Sequence, residues 1–125
     1  MDDLIPMLET DDLDQTIQWY GDTLGFTVRG TFPETGDLTW VSLKKDKVVI
    51  MFTTRFESSE KLNCSLTGSL YFYPKDVQSL WKRLQSKNLK IEWPLEDFHY
   101  GMREFAILDN NGYRLVFGQT IEETD

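Results

Sequence analysis

At 125 residues with a formal net charge of −8, the chain has the length of one ordinary domain and a surface that repels phosphate backbones, so nucleic acid is not an expected partner. Apolar residues make up 40% and aromatic rings 14%, and no apolar run approaches the roughly 20 residues of a membrane span, which argues against a membrane partner. The acidic start Met1-Asp2-Asp3-Leu4 lacks the basic region of a secretory signal, and the single cysteine, Cys64, cannot form an internal disulfide; both point to the cytoplasm.

Leu4-Ile5-Pro6-Met7-Leu8-Glu9 reads as a strand, and Pro6, which cannot donate a ladder bond, places it at a sheet edge or an exchange point. Asp12, with Gln15 three residues on, is the start signal of a helix. Its apolar face is Leu13, Ile17, Tyr20 and Leu24, and Gly25 closes it. Three strands follow, at 26–29, 38–43 and 47–52, and then a polar, patternless stretch.

The order then repeats. Ser69-Leu70-Tyr71-Phe72-Tyr73 is a strand, Asp76 starts a second helix with the stripe Val77, Leu80, Trp81 and Leu84, and Asn88 is its expected C-terminal cap. Strands at 89–93, 103–108 and 113–117 complete the pattern, the last two joined by the turn Asp109-Asn110-Asn111-Gly112. The expected fold is therefore α+β: two tandem βαβββ modules, at about 1–54 and 67–120, in one domain spanning 1–125, joined by a linker over about 55–66.

Two segments, "DDLDQTIQWYGDTLGF" (11–26) and "GMREFAILDNNGYRLVF" (101–117), together with the helix entry at Asp76, carry a resemblance to a known family. The chain resembles the glyoxalase/bleomycin resistance/dioxygenase superfamily, the vicinal oxygen chelate proteins, and is most similar to its bleomycin-resistance branch. The resemblance implies a cup-shaped mixed sheet with the helices outside. It also implies a homodimer in which modules of two chains complete each other's cups, with the first strand able to cross at Pro6.

Metal-dependent members of that superfamily hold a divalent ion with His, Glu or Gln from the first and last strand of each module. Counted from the motifs, those positions here are Ile5, Met51, Ser69 and Val116. Three of the four carry no donor for a hard or borderline cation, and a neutral serine is a poor one, so neither metal nor other cofactor is expected. Their neighbours do not rescue the site: Leu4, Pro6, Ile50, Phe52, Leu70, Leu115 and Phe117 are apolar.

What remains is a ring-lined face. Strand alternation puts Met51, Ser69, Tyr71, Tyr73 and Val116 on inward faces; Trp40 and Trp93 are expected on adjacent strands. Tyr100 stands where the resembling proteins often carry tryptophan. Arg103 and Glu104 are open to two readings, bracing the strand or touching a ligand. Trp19 and Trp81, on helices, read as helix–sheet packing. His99 reads as a solvated loop side chain, and Cys64 as a plain thiol. The expected function is to bind a small aromatic or cationic molecule without turnover, with Trp40, Met51, Ser69, Tyr71, Tyr73, Trp93, Tyr100 and Arg103 as contacts and no catalytic residue. The second reading is a divergent, metal-independent enzyme of the same superfamily, with Glu9, His99 or Glu104 as its base.

Overall fold

Two aspartates start the two helices, and the rest of the fold repeats around them. The structure, a computed structural model, describes residues 1–54 and 65–123. The chain divides into two compact units, Met1–Cys64 and Ser65–Asp125. Most of the expected linker, and Cys64 with it, lies outside the described residues.

In the first unit, strand β1 (Met7–Glu9) leads to helix α1 (Leu13–Leu24), then to β2 (Thr27–Phe32), β3 (Trp40–Lys45) and β4 (Val48–Thr53). The Asp12 carboxylate accepts the Gln15 N–H at 2.9 Å, and its carbonyl accepts from Thr16, which satisfies donors the first turn would leave bare. Gly25 ends the helix at φ +80°, a left-handed angle that costs a residue with a Cβ, and the N–H of Phe26 returns to the Tyr20 carbonyl. Leu13, Thr16, Tyr20 and Leu24 are buried, while Ile17 is half-buried. The Tyr20 ring packs 5.1 Å from Phe52 and 5.6 Å from Phe26, so α1 lies on the sheet face that carries Val41, Leu43, Ile50 and Phe52.

The sheet runs β1-β4-β3-β2, with β1 parallel to β4 and the other pairs antiparallel. β1 is at the edge, as Pro6 suggested. Pro6 itself sits just ahead of the strand, its carbonyl accepting the Met51 N–H at 2.9 Å.

The second unit repeats the plan with β5 (Leu70–Phe72), α2 (Val77–Gln85), β6 (Lys90–Asp97), β7 (Met102–Leu108) and β8 (Arg114–Thr120). Its order, β5-β8-β7-β6, is that of the first sheet. The Asp76 carboxylate accepts the Ser79 N–H and hydroxyl, and these bonds hold it below the usual carboxylate range. Val77 and Leu84 are buried, and Trp81 packs 5.0 Å from Phe105, so α2 covers the face formed by Phe105, Ile107, Leu115 and Phe117. In the β7–β8 turn the buried Asp109 carboxylate accepts from the N–H groups of Asn111 and Tyr113, and Gly112 supplies φ +92°. The fold is the α+β pair of βαβββ units that the sequence led us to expect.

Three details differ from expectation. Helix α2 stops at Gln85 with Ser86 as its cap: the Ser86 hydroxyl donates to the Arg83 carbonyl, and the Lys87 N–H tightens onto the Leu84 carbonyl; Asn88 lies beyond the helix. Strand β6 runs past Trp93 and through Pro94 to Asp97, which an outer-edge strand tolerates, and its pairing with β7 shifts on both sides of Trp93. Trp40 and Trp93 are not on adjacent strands: β3 belongs to the first sheet and β6 to the second. No helix among the described residues is long and apolar enough to cross a membrane.

Candidate functional site

The two sheets use matching registers. Met7 pairs with Met51 in the first unit as Tyr71 pairs with Val116 in the second. Because Leu115 and Phe117 face α2, strand alternation turns Arg114, Val116 and Gly118 to the other face, and with them Glu104 and Ala106 from β7. Tyr71 and Trp93 complete that face from β5 and β6. The corresponding face of the first unit carries Met7, Trp40, Ser42 and Met51, with Gly30 beside the Trp40 ring.

Glu104 is the centre of the second unit's face. It is only 2% exposed, and its Oε1 accepts two phenol O–H groups, from Tyr71 at 3.0 Å and from Tyr100 at 2.6 Å. The Tyr71 phenol is pushed well above its ordinary value, first by burial and then by the Glu104 bond. Tyr100 is pushed up to about 12, first by its bond to the carboxylate, since ionising it would place two negative charges together. The rings remain accessible: Tyr71 is 38% exposed, Tyr100 54% and Tyr73 76%, with the Tyr73 ring tilted against Tyr71 at 5.0 Å between centres. A tight turn aims Tyr100 back at Glu104. The N–H of Phe98 binds the Met102 carbonyl, that of Gly101 binds the Phe98 carbonyl, and the Phe98 ring stacks on Tyr100 at 5.5 Å. His99 is exposed on the same turn, edge-on to Tyr100.

A second cluster lies nearer the start of β8. The Arg114 guanidinium sits over the Trp93 ring, 5.6 Å from its centre, and its Nη1 donates a long 3.4 Å bond to the Ser69 hydroxyl. The Nε of Arg114 and the Nε1 of Trp93 are buried with no partner among the described residues.

Arg103 is not brought to either cluster. It projects from β7 on the side opposite Glu104 and clasps Asp97 with two bonds, at 2.6 and 3.1 Å, across the β6–β7 hairpin. The guanidinium holds the Asp97 carboxyl below its usual range. Of the pair left open by the sequence, Arg103 is the brace and Glu104 faces the rings.

Ile5, Met51, Ser69 and Val116 do not fit a divalent ion: the only oxygen donor among them is the Ser69 hydroxyl, already shared with Arg114. Among the described residues no three His, Cys, Asp or Glu side chains come together. Glu9 is exposed at the end of β1, in the other unit from Glu104.

The family model described as the Glyoxalase/Bleomycin resistance protein/Dioxygenase superfamily matches residues 6–117. The chain belongs to this superfamily. The fold also recurs among solved structures. TioX from Micromonospora sp. ML1 is 19% identical with a TM-score of 0.77, covering 97% of this chain and all of its own. The bleomycin resistance determinant encoded on transposon Tn5 is 19% identical at 0.73, covering 97% of this chain and 99% of its own. A superfamily protein from Nocardioides is 14% identical at 0.71, covering 94% and 82%. At such identities the likeness is one of fold. No curated protein matches the chain by sequence.

Sequence reasoning found the rings but missed what joins them. The Tyr71–Glu104 bond spans 33 positions and leaves no local trace. Arg114 was within reach: it stands two residues before Val116 in one strand, so alternation alone puts both on one face.

Proposed function

We propose that the protein is a metal-free binding protein for a small aromatic or cationic molecule, held without turnover. The observation that carries this reading is Glu104. It is a buried carboxylate whose bonds come from two neutral phenols, and among the described residues no cationic side chain pairs with it. A buried carboxylate favours a counter-charge, and the half-exposed rings of Tyr71 and Tyr100 offer a cation the faces it prefers. Tyr73 and Trp93 extend the ring surface, and Ser69 adds a hydroxyl at its margin. Trp40 and Met51 share the equivalent face of the first unit's own sheet. The net negative charge draws cationic ligands, so affinity should fall as salt rises.

The test is titration with aromatic amines and matched neutral compounds, read by thermal shift and tryptophan fluorescence. The amines should bind more tightly, and Glu104→Gln should weaken them at least tenfold. Equal affinity for amine and neutral analogue would overturn the reading. Bleomycin-type drugs are a natural first set, given the fold shared with a bleomycin resistance determinant.

The same carboxylate, ordered by two phenols, favours one other reading: a metal-independent enzyme with Glu104 as its base. Chemical conversion of any bound compound would establish it. We also propose a homodimer, with β1 kept in its own chain's sheet, where it pairs with β4; a strictly monomeric species by light scattering at micromolar concentration would rule it out.

A further inference from the structure

We infer that Arg114, Trp93 and Ser69 form a second binding position on the Glu104 face, one that takes a carboxylate. The open valences there are all of one kind. Arg114 is permanently charged, has no carboxylate partner among the described residues, and keeps its Nε–H buried and unused. The indole of Trp93 is a donor only, and its N–H is likewise buried and unused. The guanidinium lies over that indole, so the two orphan donors belong to one place, and the exposed Ser69 hydroxyl beside them marks where solvent reaches it. Buried donors without partners call for an acceptor. A planar acceptor with a single charge suits a guanidinium fork, whereas a polyanion is disfavoured by the chain's net charge of −8.

Placement on the sheet adds a length. Arg114 and Gly118 lie four residues apart on β8, and Gly118 pairs with Glu104. At about 3.3 Å per residue, the backbone of Arg114 stands on the order of 13 Å from that of Gly118, and Trp93, which pairs with Ala106, lies about half as far along the sheet from Glu104. The ligand that fills both is an elongated aromatic molecule with a carboxylate at one end and an ammonium at the other. The ammonium end rests on the binding function proposed above; the carboxylate end does not.

Three probes separate the two ends: biphenyl-4-carboxylate, 4-(aminomethyl)biphenyl, and 4'-(aminomethyl)biphenyl-4-carboxylate. They are titrated into the full-length ¹⁵N-labelled protein while the Trp93 indole N–H and Arg114 Nε–H signals are followed. Both carboxylates should move both signals, and the molecule with two charged ends should bind most tightly. Arg114→Gln should weaken biphenyl-4-carboxylate at least tenfold and leave 4-(aminomethyl)biphenyl unchanged. Trp93→Phe, which keeps an aromatic ring under the guanidinium and removes the N–H donor, should weaken the carboxylate several-fold. A carboxylate that moves neither signal, or that binds both variants as tightly as the parent, overturns the assignment. Failure of the amine alone would defeat the Glu104 reading and leave the Arg114 position standing.

Discussion

The phenol of Tyr71 lies in the space that any side chain at position 118 would need. That close approach carries the ring from β5 across β8 to Glu104 on β7. Gly118 is therefore part of how the acid cluster is built, through the room it leaves rather than through its backbone angle.

Gly118→Ala should break the cluster. The added methyl collides with the phenol, Tyr71 must swing away, and the buried carboxylate loses one of its two donors. Leaving a buried polar group short of a partner costs about 1–3 kcal/mol, which a urea melt resolves. Tyr71→Ala removes the obstacle, so the double variant should be less destabilised than the sum of the two singles.

Tyr100 should titrate near 12, against 10.0 for an ordinary phenol, and Tyr100→Phe should remove that late step from the absorbance at 295 nm. The folded state keeps the proton longer than the unfolded state. The stabilisation is then complete below about pH 10 and is lost as pH rises towards 12. The gap in urea midpoint between wild type and Tyr100→Phe should be constant up to about pH 10 and close above it. A gap that widens with alkali would mean the phenol does not donate to Glu104.

Purified, untagged protein should hold no stoichiometric zinc, nickel, iron or manganese by elemental analysis, and a chelator should leave its melting temperature unchanged. The reason is the set of side chains at Ile5, Met51, Ser69 and Val116. One tightly bound metal per chain would defeat the reading.

Stability should depend on the helix contacts in a definite order. Phe52 is fully buried against Tyr20, and truncating it to alanine should cost about 3–5 kcal/mol. Asp12→Ala, which removes only the cap, should cost about 1 kcal/mol. Denaturant melts would separate the two.

What the sequence revealed of this fold was whatever is local. Asp12 and Asp76 announce the helices because a cap is a contact between residues three apart, and Asn110-Asn111-Gly112 announces the last hairpin because few other residues take such a turn. Asn88 misled for the complementary reason: the helix ends two residues earlier, at Ser86, a position that pattern alone does not rank. The site was half legible. Alternation placed Tyr71, Ser69 and Val116 on one face, but the partnership of Tyr71, Tyr100 and Glu104 depends on a crossing over Gly118 and on a turn that sends Tyr100 backwards. Trp40 and Trp93 show the same limit, since nothing in their neighbourhoods says which sheet each strand joins.

Strand β6 closes one side of its sheet with Pro94, which offers no donor, and with two breaks in pairing that spoil the even spacing of its free groups. Lys90, Glu92, Glu96 and Asp97 add charge along the same border. A stray strand arriving there finds no regular row to zip onto. In a crowded solution this margin resists edge-to-edge aggregation, and growth of fibres by strand addition has no starting point along it.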